Sequence, residues 1–245
     1  MRSNGRCATF CGVDRSLPST SEKRSAAVEH HIPITKTARY WTLGDSNTAD
    51  EVWFVLHGYK QLARRFLRRF QAIDDGHRLI VAPEALSRFY IGHEPGRHGP
   101  TSVVGATWMT REDRQVEIED YVGYLDQLAE TILGTLPSAV PVTVLGFSQG
   151  VATATRWVTQ GTVEPSRLVL WGDFTPPDLD SERAALALAS VEVLMVRGEE
   201  DAALASKMAA DEAERLGAAG IEYQSMLYRG GHDIEVEALR ALISQ

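Results

Sequence analysis

The chain has 245 residues, 44% hydrophobic and 24% charged, which suits one soluble globular domain with a large core. Its 33 acidic and 25 basic side chains leave a net charge of −8, so no global positive field exists to attract nucleic acid. No apolar run approaches the ~20 residues of a membrane span, and residues 8–13 are too short for a signal h-region, so no span and a cytoplasmic location are expected.

Residues 1–28 are rich in Ser, Arg, Lys and Gly and lack periodicity, which predicts a disordered leader ahead of a single domain over 29–245. Cys7 and Cys11 both lie in this leader. No later cysteine completes a zinc site and two cysteines make no disulfide framework, so they read as free thiols. Residues 32–43 alternate loosely and predict one or two edge strands. Residues 52–56 form a continuous apolar run, the mark of a strand buried on both faces, and end at His57-Gly58-Tyr59.

A helix is expected over 61–73. Leu62, Ala63, Phe66, Leu67 and Phe70 share one face, and Lys60, Arg64, Arg65, Arg68 and Arg69 cover the other. Such a basic face reads first as solvated surface with arginine stems draped over the core, and second as a binding patch. Residues 78–83 predict another buried strand. Residues 84–112 read as a long irregular segment rich in Gly and Pro, and loops of that length usually carry function. From Arg114 to Leu133, Ile118, Tyr121, Val122, Leu125, Leu128, Ala129 and Ile132 recur as one apolar stripe, so this is a helix. Strands are then expected at 141–145, 167–171, 191–196 and 222–227, with helices at 151–158, 182–188, 202–216 and 234–243. This alternation predicts an α/β fold with a mostly parallel sheet covered on both faces.

Gly146-Phe147-Ser148-Gln149-Gly150 follows the 141–145 strand and precedes a helix, the context of a nucleophile elbow. A serine hydroxyl needs an adjacent base, and the base an orienting carboxylate. Downstream, a strand leaves through Gly198 to a loop holding Asp201, and another leaves through Gly230-Gly231 to His232. His232 is the expected base and Asp201 its orienter, with Glu199 and Glu200 as neighbours that offer the same group. The oxyanion requires two preorganised N–H donors, expected from Gln149 at the helix N-terminus and from Tyr59 after the 52–56 strand. His57, in that same loop, is expected to hold the backbone. His30, His31, His77, His93 and His98 lack comparable context, and His93 with His98 has no third ligand, so no metal is expected.

Together, Leu56-His57-Gly58-Tyr59, the Gly-Phe-Ser-Gln-Gly elbow, Gly198 with Asp201, and Gly231-His232 resemble the phospholipase/carboxylesterase branch of the α/β-hydrolases over residues 50–245. That branch includes acyl-protein thioesterases and small bacterial carboxylesterases. The resemblance implies an α/β-hydrolase fold and a cofactor-free serine hydrolase of esters or thioesters, frequently a homodimer. The chain departs from the family at Tyr59-Lys60, at Trp171-Gly172-Asp173 and over 86–112. In that last segment Phe89, Tyr90, Trp108 and Met109 are candidate walls of an acyl pocket, unless Trp108 and Met109 simply pack on the helix that follows. The expected function is hydrolysis of small-molecule carboxylic esters of short to medium acids. A thioesterase, lysophospholipase or peptidase would use the same triad, and a silent binding protein on this fold would leave Ser148 unreactive.

Overall fold

The computed structural model describes residues 27–92, 98–202, 204 and 206–244. Contacts divide the chain into two units, residues 1–36 and 37–245. In the first, residues 27–36 are exposed and carry neither helix nor strand, and the rest of the expected leader lies outside the described residues. Residues 29–36, expected to open the domain, fall in that first unit.

The second unit contains nine strands among the described residues: β1 (Tyr40–Leu43), β2 (Glu51–Leu56), β3 (Arg78–Pro83), β4 (Ser87–Tyr90), β5 (Val104–Thr107), β6 (Val142–Phe147), β7 (Arg167–Trp171), β8 (Glu192–Gly198) and β9 (Gln224–Tyr228). Its helices are α1 (Ala63–Leu67), α2 (Arg114–Leu133), α3 (Gln149–Gln160), α4 (Ser181–Leu188), α5 (Ser206–Ala218) and α6 (Val236–Ile243). Seven strands form one sheet in the order β1-β3-β2-β6-β7-β8-β9. β1 pairs antiparallel with β3, and the remaining pairs are parallel.

Period-two alternation explains why the central strands read as unbroken apolar runs. In β2, Val52, Phe54 and Leu56 enter one core, and Trp53 and Val55 enter the other. The same division holds for Leu168 and Leu170 against Val169 and Trp171 in β7, and for Val193 and Met195 against Leu194 and Val196 in β8. The α2 and α3 stripes cover the first face; α1 and α6 cover the second. Register levels the carboxyl ends of the strands: Leu56 lies opposite Gly146, Phe147 opposite Trp171, and Gly198 opposite Tyr228. The loops that leave these ends therefore gather on one edge of the sheet, where α/β proteins bind ligands.

Two elements differ from the sequence expectation. The helix expected over 61–73 is a single short α-helix, Ala63–Leu67, followed by a 3-10 segment, Arg68–Ile73. Arg64 with Arg68 and Arg65 with Arg69 put like charges one turn apart, which disfavours a regular α-helix. The 84–112 segment is not wholly irregular. β4 and β5 pair antiparallel, Ser87 to Thr107 through Tyr90 to Val104. Lys60 N–H donates to the Ala106 carbonyl and Ala106 N–H to the Gln61 carbonyl, so this hairpin is tied to the loop after β2. Each strand has only four residues and the partners are far apart in sequence, so neither carries a local signal.

Trp157 of α3 shows how much the core depends on one side chain. It is fully buried, meets Phe54 edge-on at 5.4 Å, and donates from Nε1 to Asp126 Oδ1 at 2.8 Å. Trp157→Ala is expected to cost about 4 kcal/mol and to lower the melting temperature on the order of 10 °C. Calorimetry on the purified variant checks this, and an unchanged melting temperature would refute it.

Candidate active site

Ser148 joins β6 to α3 at φ 52° and ψ −123°, a conformation few non-glycine residues adopt. Its neighbours explain how the turn closes. A Cβ on Gly146 would lie 2.2 Å from the Gly150 carbonyl oxygen, and a Cβ on Gly150 would lie 2.2 Å from that of Leu56. Ser148 N–H donates to the Trp171 carbonyl at 2.9 Å, which fixes the elbow to β7. The serine is only half-buried, so its hydroxyl is within reach of a ligand.

His232 Nδ1 lies 2.7 Å from Asp201 Oδ2. With Nδ1–H donating to the carboxylate, Nε2 keeps its lone pair for a proton. The Asp201 side chain is 1% exposed, whereas Glu199 and Glu200 are exposed, so geometry selects Asp201 as the partner. The loop carrying His232 is clamped from within the fold. Trp171 Nε1 donates to the Asp233 carbonyl at 3.0 Å, and the Tyr228 hydroxyl lies 2.7 Å from both the Gly231 and Asp233 carbonyl oxygens. Gly198 lets β8 approach this loop, since a Cβ there would sit 2.4 Å from the Gly230 carbonyl oxygen. Trp171 ends the expected 167–171 strand and Tyr228 lies just past the expected 222–227 strand, and nothing local announces their polar contacts.

The structure also brings a second carboxylate within electrostatic reach of His232: Asp173, which the sequence marks only as a departure from the family. A Cβ on the preceding Gly172 would lie 3.5 Å from the His232 ring. Burial raises the Asp173 carboxyl above its usual range, opposed by the Phe174 N–H it accepts from and by the attraction of His232. An acidic residue two positions past the end of β7, the strand beside β6, was the available signal.

The loop after β2 meets the elbow at close range: a Cβ on Gly58 would lie 3.1 Å from Ser148 Cβ. Among the described residues, none accepts a hydrogen bond from the N–H of Tyr59 or Gln149, the two expected oxyanion donors. The Gln149 side chain acts elsewhere. Its Nε2 donates to the Met109 carbonyl at 3.0 Å and to Thr107 Oγ1 at 2.9 Å, and its Oε1 accepts from Trp108 N–H, so it ties the end of β5 to α3.

The four aromatic-segment candidates separate. Phe89 is half-buried and stacks on Tyr59 at 5.4 Å; Tyr90 is exposed and stacks on His98 at 4.0 Å. Trp108 is 2% exposed, with its ring against His57 and Tyr121. A side chain so placed offers a ligand almost no surface, which corrects the expectation that Trp108 walls a pocket: it packs on α2, beneath the site. Met109 is half-buried, and its sulfur lies 3.7 Å from an Arg156 nitrogen.

His57 holds the β2 loop, as expected. Nδ1–H donates to the Gly58 carbonyl at 2.8 Å and Nε2 accepts from Ala85 N–H at 3.1 Å. Its own carbonyl accepts from Trp108 Nε1 at 2.8 Å. One ring nitrogen gives and the other receives, so the ring is neutral. Burial, opposed weakly by the Gly58 carbonyl and by Glu84, pushes its pKa down to about 4.

No family model and no curated protein matches the sequence. Solved structures match the fold. Acyl-protein thioesterase 2 from Zea mays superposes with a TM-score of 0.62 at 17% identity, covering 85% of this chain and 97% of its own. Esterase PE8 gives 0.63 at 21% identity, with 85% and 97% covered. The Bacillus cereus carboxylesterase gives 0.55 at 14%, with 83% and 91% covered. The chain has the α/β-hydrolase fold. Among the described residues no helix is long and apolar enough to cross a membrane.

The buried neutral His57 makes stability depend on pH. Its pKa falls from 6.5 in the unfolded chain to about 4 in the folded one, so its contribution is complete above about pH 6.5. As pH drops towards 4, the unfolded chain takes up a proton that the folded protein refuses, at an eventual cost on the order of 3 kcal/mol. Urea unfolding between pH 7.5 and 4.5 should show this loss in the wild type and a shallower slope in His57→Asn. Equal slopes would show that His57 does not titrate on unfolding.

Proposed function

We propose that the protein is a serine hydrolase that cleaves carboxylic esters of short to medium acids through an acyl-enzyme. The observation that carries this reading is the strained Ser148 elbow at the same sheet edge as the hydrogen-bonded His232–Asp201 pair. In the first half-reaction Ser148 Oγ attacks the ester carbonyl carbon as its proton passes to His232 Nε2. The N–H groups of Tyr59 and Gln149 stabilise the developing oxyanion. Collapse of the tetrahedral species breaks the bond to the alcohol, which leaves with the proton from His232. Water then repeats the sequence on the acyl-Ser148 ester and releases the acid. Asp201 holds the tautomer and offsets the imidazolium charge.

The names of the structural neighbours, esterases and a thioesterase, agree with this chemistry. A thioester would use the same groups, because the attack and the oxyanion are shared. Phe89 and Tyr59, stacked beside the β2 loop, and the exposed Tyr90 with Met109 are the side chains proposed to meet the acyl group.

Ser148→Ala should reduce hydrolysis of p-nitrophenyl butyrate on the order of 10³-fold or more, with the melting temperature nearly unchanged. A fluorophosphonate probe should label the wild type and not the variant; a binding protein would take no label at all. Asp201→Asn should cost far more turnover than Glu200→Gln, and the reverse ranking would reassign the orienting carboxylate.

Chain length gives a separate test. Each methylene that fits an apolar pocket gains up to ~0.8 kcal/mol, and each one beyond the wall gains nothing or clashes. Across p-nitrophenyl esters from acetate to palmitate, kcat/KM should peak at short to medium acids and show no jump at the micelle threshold. A maximum at palmitate, or interfacial activation, would point to a lipase instead.

A further inference from the structure

A cavity of about 190 Å³ is lined by residues that adjoin the proposed catalytic centre in sequence. Its lining includes Lys60, Arg65, Phe66, Arg69, Ile91 and Asp233. Two of these are sequence neighbours of site residues: Lys60 follows Tyr59, the proposed oxyanion donor, and Asp233 follows His232. A third connects to the site through aromatic rings. Phe66 stacks on Phe147 at 5.9 Å, and Phe147 lies 5.0 Å from the His232 ring.

The charge of the cavity is opposite to that of the protein. The chain carries −8 overall, yet three cations here meet one carboxylate. Arg69 is taken up by Asp233 at 2.9 Å. Among the described residues no carboxylate pairs with Lys60 or Arg65. Two cations are thus left for a ligand, next to a site at which small anions would otherwise be repelled by the net charge.

The backbone at Lys60 strengthens the case. Its φ is 67°, a left-handed conformation in which glycine alone is free of strain. The turn is locked by β5: a Cβ on Gly105 would meet the Lys60 carbonyl oxygen at 2.5 Å. Glycine would suit this turn better, so what lysine adds is its side chain. The ammonium lies 5.2 Å over the Tyr59 ring, at the side chain that stacks on Phe89. The space is about six water volumes, enough for a charged group on a short arm and too small for a long acyl chain.

We infer that this cavity is an anion subsite of the catalytic centre, and that the preferred ester carries a carboxylate or phosphate bound by Lys60 and Arg65. This rests on the serine hydrolase reading given above. The ion pair between Arg69 and Asp233 holds that guanidinium in place and leaves Lys60 and Arg65 as the two cations that face the anionic group.

The test compares charged esters with their neutral twins. On the acid side these are the p-nitrophenyl hemiester of glutaric acid and its methyl ester. On the alcohol side they are 1-acetylglycerol 3-phosphate and 1-acetylglycerol. In at least one pair, kcat/KM should favour the anion by roughly tenfold, and the pair that responds identifies which part of the ester carries the charge. The ratio should fall several-fold in Lys60→Gln and in Arg65→Gln, shrink in high salt, and stay unchanged in Arg68→Gln, which lies outside the cavity lining. Direct binding of glutarate and of inorganic phosphate to the Ser148→Ala protein, by calorimetry, supplies the independent arm. If neutral esters are hydrolysed but both ratios are near one, the subsite is refuted and the hydrolase stands. If no ester is hydrolysed and Ser148 takes no label, the hydrolase reading fails. The subsite is then judged by calorimetry: binding weakened by Lys60→Gln supports it as an anion site, and no binding, or binding that Lys60→Gln and Arg65→Gln leave unchanged, refutes it.

Discussion

Everything at this site depends on how closely the end of β2 approaches the turn after β6. Gly150 leaves no room for a side chain between itself and the Leu56 and His57 carbonyls, and Gly146 leaves none between itself and Gly150. With both glycines present, Ser148 is pressed out of the strand into a conformation that would be relieved if the turn were looser. The same contact sets the β2 loop against the serine, so that Gly58 and Ser148 nearly touch. Ser148 and the loop after β2 are therefore positioned by a single packing constraint, made of backbone and insensitive to rotamer choice.

The histidine is positioned by different means. His232 sits on a loop, and loops are ordinarily the mobile part of a fold. Here the loop carbonyls at Gly231 and Asp233 are held by the Trp171 indole and the Tyr228 hydroxyl, both rooted in the sheet. Two large residues that fill the core with their rings turn their polar ends to the loop that carries His232. Burial of Asp201 on the neighbouring loop then gives the imidazole one fixed carboxylate in a place where water competes little.

The region after β2 combines stiffness with charge. His57 bridges Gly58 and Ala85, Gln149 bridges α3 and the end of β5, and the β4–β5 hairpin bonds back to Lys60 and Gln61. These ties join β4, β5 and the loop after β2 into one hydrogen-bonded frame. They also point a lysine, from a strained turn, towards the stacked pair of Tyr59 and Phe89. The protein is acidic overall, and Lys60, Arg65 and Arg69 make a local excess of positive charge on this frame.

The apolar runs of β2, β3, β6, β7 and β8 and the stripe of α2 were legible in the residues, because burial on both faces or along one stripe writes itself into local periodicity. Ser148, Asp201 and His232 were legible as candidates for a related reason: each follows a strand through glycine, in an order that suits the chemistry. What the residues could not announce were relations between distant segments. The β4–β5 pairing joins four-residue strands that carry no pattern of their own. The place of Trp108 beneath His57, where an aromatic wall had been expected, depends on how α2 packs. The Trp171 and Tyr228 clamp, the choice of Asp201 over Glu199 and Glu200, and the cavity that Lys60, Arg65 and Asp233 line together all depend on residues from separate segments. Local sequence sets which side chains are apolar and which turns are tight. Which polar atoms end up facing one another is decided only when the sheet brings its strand ends to one edge.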